Sequence, residues 1–135
     1  MLPLADVRDF IAELKISADD HTYMGRLDNK KECSIGIYDS KRNSNFNMAL
    51  GGNSNKSYDV KRVTLLVHWN KSLRETEKKA YELVEALSGV EDAAINTSTI
   101  CFIFPTEPIP VDSDSSGVYE MVVDADIYYK TEKGR

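Results

Sequence analysis

Residues 58–87, YDVKRVTLLVHWNKSLRETEKKAYELVEAL, decide the fold because they encode a strand, a short turn and an amphipathic helix in succession. Residues 60–69 alternate in polarity with the two-residue period of a β-strand. One face of this predicted strand carries Val63, Leu65, Val67 and Trp69, and the other carries Arg62, Thr64, Leu66 and His68. The apolar Leu66 on the second face predicts that this face is partly covered too.

The helix that follows is predicted to begin after Ser72 and to end at Gly89. Ser72 and Glu75 form a capping box, in which the Ser72 hydroxyl accepts from the Glu75 N–H and the Glu75 carboxylate accepts from the Ser72 N–H. Glu75 and Lys79 stand in the favourable i, i+4 order, worth roughly 0.2–0.5 kcal/mol. Gly89 occupies the position that favours a left-handed residue. The stripe expected to be buried is Ala80, Leu83, Val84 and Leu87.

The remaining patterns place this unit in an α+β fold. Residues 4–14 predict a first helix, residues 22–28 a short strand or arm, and residues 33–38, 99–104 and 118–129 three further strands. Residues 118–129 have one apolar face and one largely acidic face, which is typical of a sheet covered on one side. We therefore expect an antiparallel sheet with two helices packed on one face.

Length and charge limit the classes of function. A chain of 135 residues predicts one domain, and a net charge of −5 argues against binding nucleic acid by neutralising its phosphates. No apolar run approaches the roughly 20 residues of a membrane helix. The N-terminus has no signal-peptide pattern, so we expect synthesis in a cytoplasm.

A long polar segment, residues 39–57, is rich in Asn, Ser and Gly and has a small apolar centre around Met48 and Leu50. Loops of this length in a compact domain are usually functional or disordered. We expect part of it to dock on the body of the protein or on a neighbour. The tail at residues 130–135 is expected to fray.

No catalytic or metal-binding arrangement stands out. Cys33 and Cys101 are expected to be buried free thiols, since a disulfide would need neighbouring strands and an oxidising compartment. His68, beside a core tryptophan, is expected to be a hydrogen-bonded structural residue. Residues 112–117 match the start of a calcium loop, but its twelfth position is Val123 instead of Glu, so a turn is favoured. We expect neither enzymatic activity nor a cofactor.

Three short motifs carry a family resemblance: Ile35-Gly-Ile-Tyr38, Gly51-Gly52, and Leu66-Val-His-Trp-Asn70 followed by a helix. With the order of the elements and the acidic C-terminal strand, they make residues 4–130 resemble the bacteriophage minor capsid proteins of the tail-terminator kind, the tail completion proteins of siphophages. The resemblance implies an α+β subunit that assembles as a ring, usually a hexamer, on the last ring of the tail tube. Such a ring stops tube growth and presents the surface that joins the tail to the head.

The resemblance also implies the partners and the location. The chain is expected to contact itself, the tail tube protein and a head–tail connector protein, within the virion and away from any membrane. DNA is expected only to pass through the channel, without specific binding. The residues expected to contact a neighbouring subunit or the tube are Asn45, Phe46, Met48, Leu50, Gly51 and Gly52. The residues expected to face the channel are Glu120, Asp124 and Asp126.

Two other classes stay open at this point. One is another connector or neck component of a phage particle, which would bind a different partner. The other is a small enzyme or ligand-binding domain, which would need a pocket with converging polar groups.

Overall fold

The computed structural model describes residues 2–25, 32–40, 58–111 and 117–131. Two α-helices in this part of the chain are α1 (Leu4–Glu13) and α2 (Leu73–Ser88), and a 3-10 turn covers Asp19–His21. The strands are β1 (Thr22–Met24), β2 (Ser34–Asp39), β3 (Asp59–His68), β4 (Ala93–Ile95), β5 (Ser98–Pro105), β6 (Ile109–Val111) and β7 (Glu120–Thr131).

All the strands join one sheet, in the order β1-β2-β3-β7-β5-β4, with β6 paired to β7 beyond the end of β5. The longest ladder pairs β3 with β7 antiparallel, from Asp59 opposite Tyr129 to His68 opposite Glu120. The α+β class is confirmed. The sheet is mixed instead of wholly antiparallel, because β1 and β2 run parallel to each other.

The predicted core face is confirmed. Val63, Leu65, Val67 and Trp69 are all buried, as are the β7 residues Met121, Val123, Ala125, Ile127 and Tyr129. Both helices pack on this face and join the same core. Of the predicted α2 stripe, Ala80, Leu83 and Leu87 are buried and Val84 is partly buried. Full burial of one such aliphatic side chain stabilises the fold by about 1.5–3 kcal/mol.

The opposite face of the sheet is not uniformly exposed. Leu66 on this face is partly buried, as predicted, and His68 is completely buried. Ser34 and Gly36 of β2 are buried although they alternate with the core residues Ile35 and Ile37. The prediction of one covered face therefore holds only for part of the sheet, because at the β2 side both faces are enclosed.

The cap at the start of α2 includes Asn70 in addition to the predicted Ser72 and Glu75. The Ser72 Oγ accepts from the Glu75 N–H at 3.2 Å. The Ser72 N–H donates to the Asn70 Oδ1 at 2.9 Å, and the Asn70 Nδ2 donates to the Glu75 Oε1 at 2.6 Å. The Glu75 carboxylate therefore does not accept from the Ser72 N–H as predicted. It accepts from the Asn70 side chain, and the Asn70 Oδ1 accepts from the Ser72 N–H in its place.

Two further predictions about α2 are wrong. Gly89 has a φ of −90°, so the helix ends without a left-handed residue and the Val90 N–H closes the last turn by donating to Leu87. Lys79 pairs with Glu82 at 3.1 Å instead of with Glu75, whose carboxylate is engaged by Asn70. The Lys79 ammonium also lies 5.6 Å from the Trp69 ring centre, which keeps it on the side of the helix nearest the core.

We expect Ser72→Ala to lower the free energy of unfolding by about 1 kcal/mol, because the first turn of α2 loses its side-chain acceptor. Urea unfolding followed by circular dichroism measures the change. Ser88→Ala is the matched control, since Ser88 is exposed at the last position of the same helix. Equal stability of the two variants would show that the cap contributes nothing.

Candidate assembly surface

The predicted loop contact lies outside the described residues. This applies to Asn45, Phe46, Met48, Leu50, Gly51 and Gly52, and also to most of the weighed calcium motif, residues 112–116. The structure does describe where the loop begins and ends. The Ser40 N–H donates to the Arg62 carbonyl at 3.1 Å, and the chain re-enters at Tyr58, immediately before β3. Both ends of the loop are therefore held beside the first half of β3.

The predicted acidic residues lie together on one face of β7, as their spacing requires. Each carboxylate has a partner on β3. The Glu120 Oε2 lies 2.7 Å from the His68 Nδ1, the Asp124 Oδ1 accepts from the Thr64 hydroxyl at 2.7 Å, and the Asp126 Oδ1 lies 3.6 Å from the Arg62 Nε. The three side chains are partly buried by these contacts.

The His68–Glu120 contact lies deepest of the three. His68 is fully buried and the Glu120 side chain is 17% exposed. A carboxylate can only accept, so the His68 Nδ1 carries the proton and donates it. This contact confirms the prediction that His68 is a hydrogen-bonded structural residue, and it identifies the acceptor as one of the residues expected in the channel.

These β3 partners were not predicted, although the sequence carries a signal for them. Arg62, Thr64 and His68 are separated by two and four positions, and Asp126, Asp124 and Glu120 repeat this spacing in reverse. Residues facing each other across an antiparallel pair must show such mirrored spacing. The pattern would have predicted the β3–β7 register directly.

The same face carries a group of aromatic side chains that the sequence analysis did not single out. We call it the aromatic cluster: Tyr58, Phe102, Phe104 and Tyr128. The Phe102 and Tyr128 rings stack at 4.7 Å between centres, and Tyr58 meets Tyr128 edge to face at 5.3 Å. Phe104 lies 5.5 Å from Tyr128 and 5.2 Å from Phe102. Such pairs contribute about 0.5–1.5 kcal/mol each beyond their burial.

The aromatic cluster is open on its outer side. Phe104 is 59% exposed and Tyr58 is 39% exposed, and the neighbouring Val60 on the same face is 37% exposed. Large apolar side chains grouped in this way on a soluble protein mark interaction surfaces. In the sequence the cluster begins where the loop ends, because Tyr58 is the first described residue after the loop.

The remaining candidate sites have structural explanations. Burial raises the pKa of the Cys33 thiol, which makes it a poor nucleophile. Both cysteines are free thiols as predicted, but each is partly buried instead of fully buried. The His21 Nδ1 contacts the Glu32 and Cys33 carbonyls at 3.0 and 3.2 Å. Among the described residues, no group of three His, Cys, Asp or Glu side chains could hold a metal ion. Neither helix in that part of the chain could cross a membrane.

An open cleft of about 660 Å³ lies at the C-terminal end of α1, lined in part by Arg8, Glu13 and Asp19. The Arg8 guanidinium is held by structural contacts, because its Nε donates to the Thr22 carbonyl at 2.9 Å. A hydrogen bond to Asp9 also raises the pKa of Arg8. The side chain thus ties α1 to β1, and it also forms ion pairs with Asp9 at 2.9 Å and with Asp19 at 3.2 Å, so these charged groups of the cleft are paired with one another.

A family model described as bacteriophage tail terminator protein matches residues 10–131. The chain belongs to the bacteriophage tail terminator family. The match covers every strand and α2, which confirms the resemblance drawn from the short motifs. A search of curated proteins found no match to this chain.

Family membership makes the terminator a structural component of a phage tail, and thus of the virion, in a family that is not enzymatic. The surfaces described above agree with this class. Contacts within the protein account for both histidines, and of the two only His68 is fully buried. The aromatic cluster, in contrast, leaves Phe104 and Tyr58 exposed.

We expect Glu120→Ala to lower the free energy of unfolding of the terminator by about 1–3 kcal/mol, because the buried His68 donor loses its acceptor. Glu120→Gln should lose less, since the amide oxygen still accepts. Thermal and urea unfolding measure both variants against Glu107→Ala, whose side chain is exposed. A loss for Glu107→Ala as large as that for Glu120→Ala would contradict the assignment.

Proposed function

We propose that this terminator assembles as a ring of six copies on the last ring of the tail tube, stops tube growth there, and presents the surface to which the head is joined. Family membership over residues 10–131 is the observation that carries the proposal. The partners are the chain itself, the tail tube protein and a head–tail connector protein.

The proposed contact with a neighbour or with the tube is the loop, including Phe46, Met48 and Leu50. Support comes from the way its two ends are held. Ser40 is hydrogen-bonded to the Arg62 carbonyl of β3 and Tyr58 precedes the same strand, so both described ends of the loop lie beside β3. Fixed ends favour a role in binding, because a segment whose ends are already held loses less conformational entropy when it binds.

The other proposed surface is the acidic face of β7, turned toward a channel through which DNA slides. Like charge would keep the DNA from adhering. The contacts with β3 reduce this effect, because Arg62 offsets Asp126 and Glu120 is bound by His68. In the described chain no opposite charge offsets Asp124, since its side-chain partner is the neutral Thr64 hydroxyl. A structure of the assembled ring with Glu120, Asp124 and Asp126 on its outer surface would end this part of the proposal.

Phage particles lacking the terminator test its role in termination. We expect overlong tails without heads, because nothing would stop the tube or join it. Electron microscopy of lysates measures tail length and the share of joined particles, with a plasmid-borne copy of the gene as the control. Tails of normal length without heads would indicate a connector component instead, and normal particles would reject both roles.

Deletion of residues 43–53 tests the loop. We expect the variant to keep its thermal unfolding transition but to fail in restoring finished tails, because the contact is lost and the sheet is not. The matched control replaces Phe46, Met48 and Leu50 by Ser at unchanged loop length, which separates the apolar contact from loop length. Finished tails with the deletion variant would show that the loop assignment is wrong.

A further inference from the structure

We infer that neighbouring copies of the terminator exchange their N-terminal arms in the ring, so that the arm of each copy packs on the sheet of the next. The N-terminal arm is residues 2–25, which contain α1, the 3-10 turn and β1. In the structure the arm packs on its own chain, which we take as the arrangement of the free subunit. The inference rests on the proposed ring and names a contact that would link its copies.

The arm is held together by polar contacts of its own. Two nitrogens of the Arg8 guanidinium donate to the carbonyls of Thr22 and Asp19, at 2.9 and 2.5 Å. The Thr22 hydroxyl donates to the Ala18 carbonyl at 3.0 Å and therefore accepts from the Ser17 hydroxyl, 3.0 Å away. These bonds join α1 to β1, so the arm would keep its shape when it moves as one body.

The arm contacts the rest of the chain through surfaces that every copy carries. Its buried apolar side chains in the core are Leu2, Val7, Phe10 and Ile11. Strand β1 pairs in parallel with β2, and the Asn96 Nδ2 donates to the Asp6 Oδ1 at 2.7 Å. Because all copies have the same sequence, an arm from a neighbour would make the same contacts. It would also cover the same edge of β2, so exchange creates no new sheet edge.

The way β1 is connected to β2 is the observation that favours exchange. A parallel pair of strands ordinarily needs a crossover connection of a dozen or more residues, usually with a helix. Strand β1 ends at Met24 and β2 begins at Ser34, so residues 25–33 alone close the pair, and they are fewer than a dozen. A strand supplied by a neighbouring copy needs no return path, because the connection then runs on from one subunit to the next.

The backbone at the two ends of this connection is also constrained. Gly25 has a φ of 80° and Cys33 has a φ of 59°. Glycine adopts positive φ values readily, whereas in a cysteine the same conformation is strained because of its Cβ. Short connections under strain favour exchange between copies. Opening of the arm would let Cys33 leave this conformation and would thus remove a cost of the closed subunit.

The connection is long enough to reach an adjacent copy. Residues 25–33 span at most about 30 Å when fully extended, which is about the diameter of a small domain. Exchange in one direction around a ring gives each copy one donated and one received arm, and closed symmetry leaves no arm without an acceptor. Each copy would then be held to its neighbour by the apolar side of α1 as well as by β1.

A pair of cysteines at the contact between Asp6 and Asn96 tests which chain holds the arm. The variant combines Asp6→Cys and Asn96→Cys with Cys33→Ser and Cys101→Ser, so that a short bismaleimide can bridge only the new pair. Denaturing electrophoresis then separates single chains from linked ones. We expect single chains from the free subunit. From finished tails we expect a series of linked chains up to the complete ring, because each bridge joins the arm of one copy to the next copy.

Asp6→Cys alone, in the same background, is the matched control and should give no linked series. The contact lies at the surface, so we expect the variant to restore finished tails. Single chains from finished tails would overturn the inference. Linked pairs and nothing larger would overturn it too, since exchange in pairs does not build a ring.

The second test changes the length of the connection in the purified protein. Deletion of residues 26–31 leaves Gly25, Glu32 and Cys33, which are too few to turn the chain back beside its own β1. We expect this variant to form oligomers in sedimentation velocity at concentrations where the wild type is monomeric, because its arm can pair only with another copy. The matched control replaces the same residues by Gly and Ser at unchanged length and should behave like the wild type. A shortened variant that stays monomeric, folded or unfolded, would contradict the inference.

Failure of this inference is distinguishable from failure of the proposed function. Single chains after cross-linking of finished tails would remove the exchange and leave termination intact. Oligomers of the shortened variant, together with normal particles in the absence of the chain, would support exchange between copies and remove termination.

Discussion

The pairing of β3 with β7 is the constraint on which the rest of the structure depends. Every residue of β3 faces a residue of β7, and this register sets three things at once. It directs Val63, Leu65 and Val67 into the core beneath the helices. It brings a β3 partner to each carboxylate of β7, and it places Val60 opposite Tyr128 at the edge of the aromatic cluster. A slip of one residue would send every side chain of one strand to the other face.

Local patterns of the sequence predicted much of this arrangement. Alternation over residues 60–69 and 118–129 gave the correct core faces, and the Ser72 cap located the start of α2. These features depend on the chemistry of a few adjacent residues, so they are readable without knowledge of the fold. The end of α2 was misjudged for a related reason, because Gly permits a left-handed conformation but does not impose it, and buried Val90 takes the chain on without one.

Features formed by residues distant in sequence were less accessible. The parallel pairing of β1 with β2 depends on how the chain returns to the sheet, and no short pattern encodes that return. The aromatic cluster combines residues from three places in the chain, and only the strand order brings Tyr58 against Tyr128 and Phe102. The acidic residues do share one face of β7, but each has a partner on β3: Arg62 offsets the charge of Asp126, whereas His68 and Thr64 hold Glu120 and Asp124 by hydrogen bonds.

The edges of the sheet have a consequence for how such a subunit can associate. Strands β1 and β4 are three residues long, and β6 is a three-residue strand with Pro110 at its centre. Proline has no N–H to donate, and short edges offer little backbone for another strand to pair with. Within the described residues, the outermost strands therefore offer little backbone for pairing between copies, and longer unpaired edges are limited to the parts of β3 and β5 that extend past β2 and β4. Contacts made by side chains, whose shapes and charges distinguish one partner from another, would then suit the proposed role, because a subunit that ends a polymer should not extend it by backbone pairing.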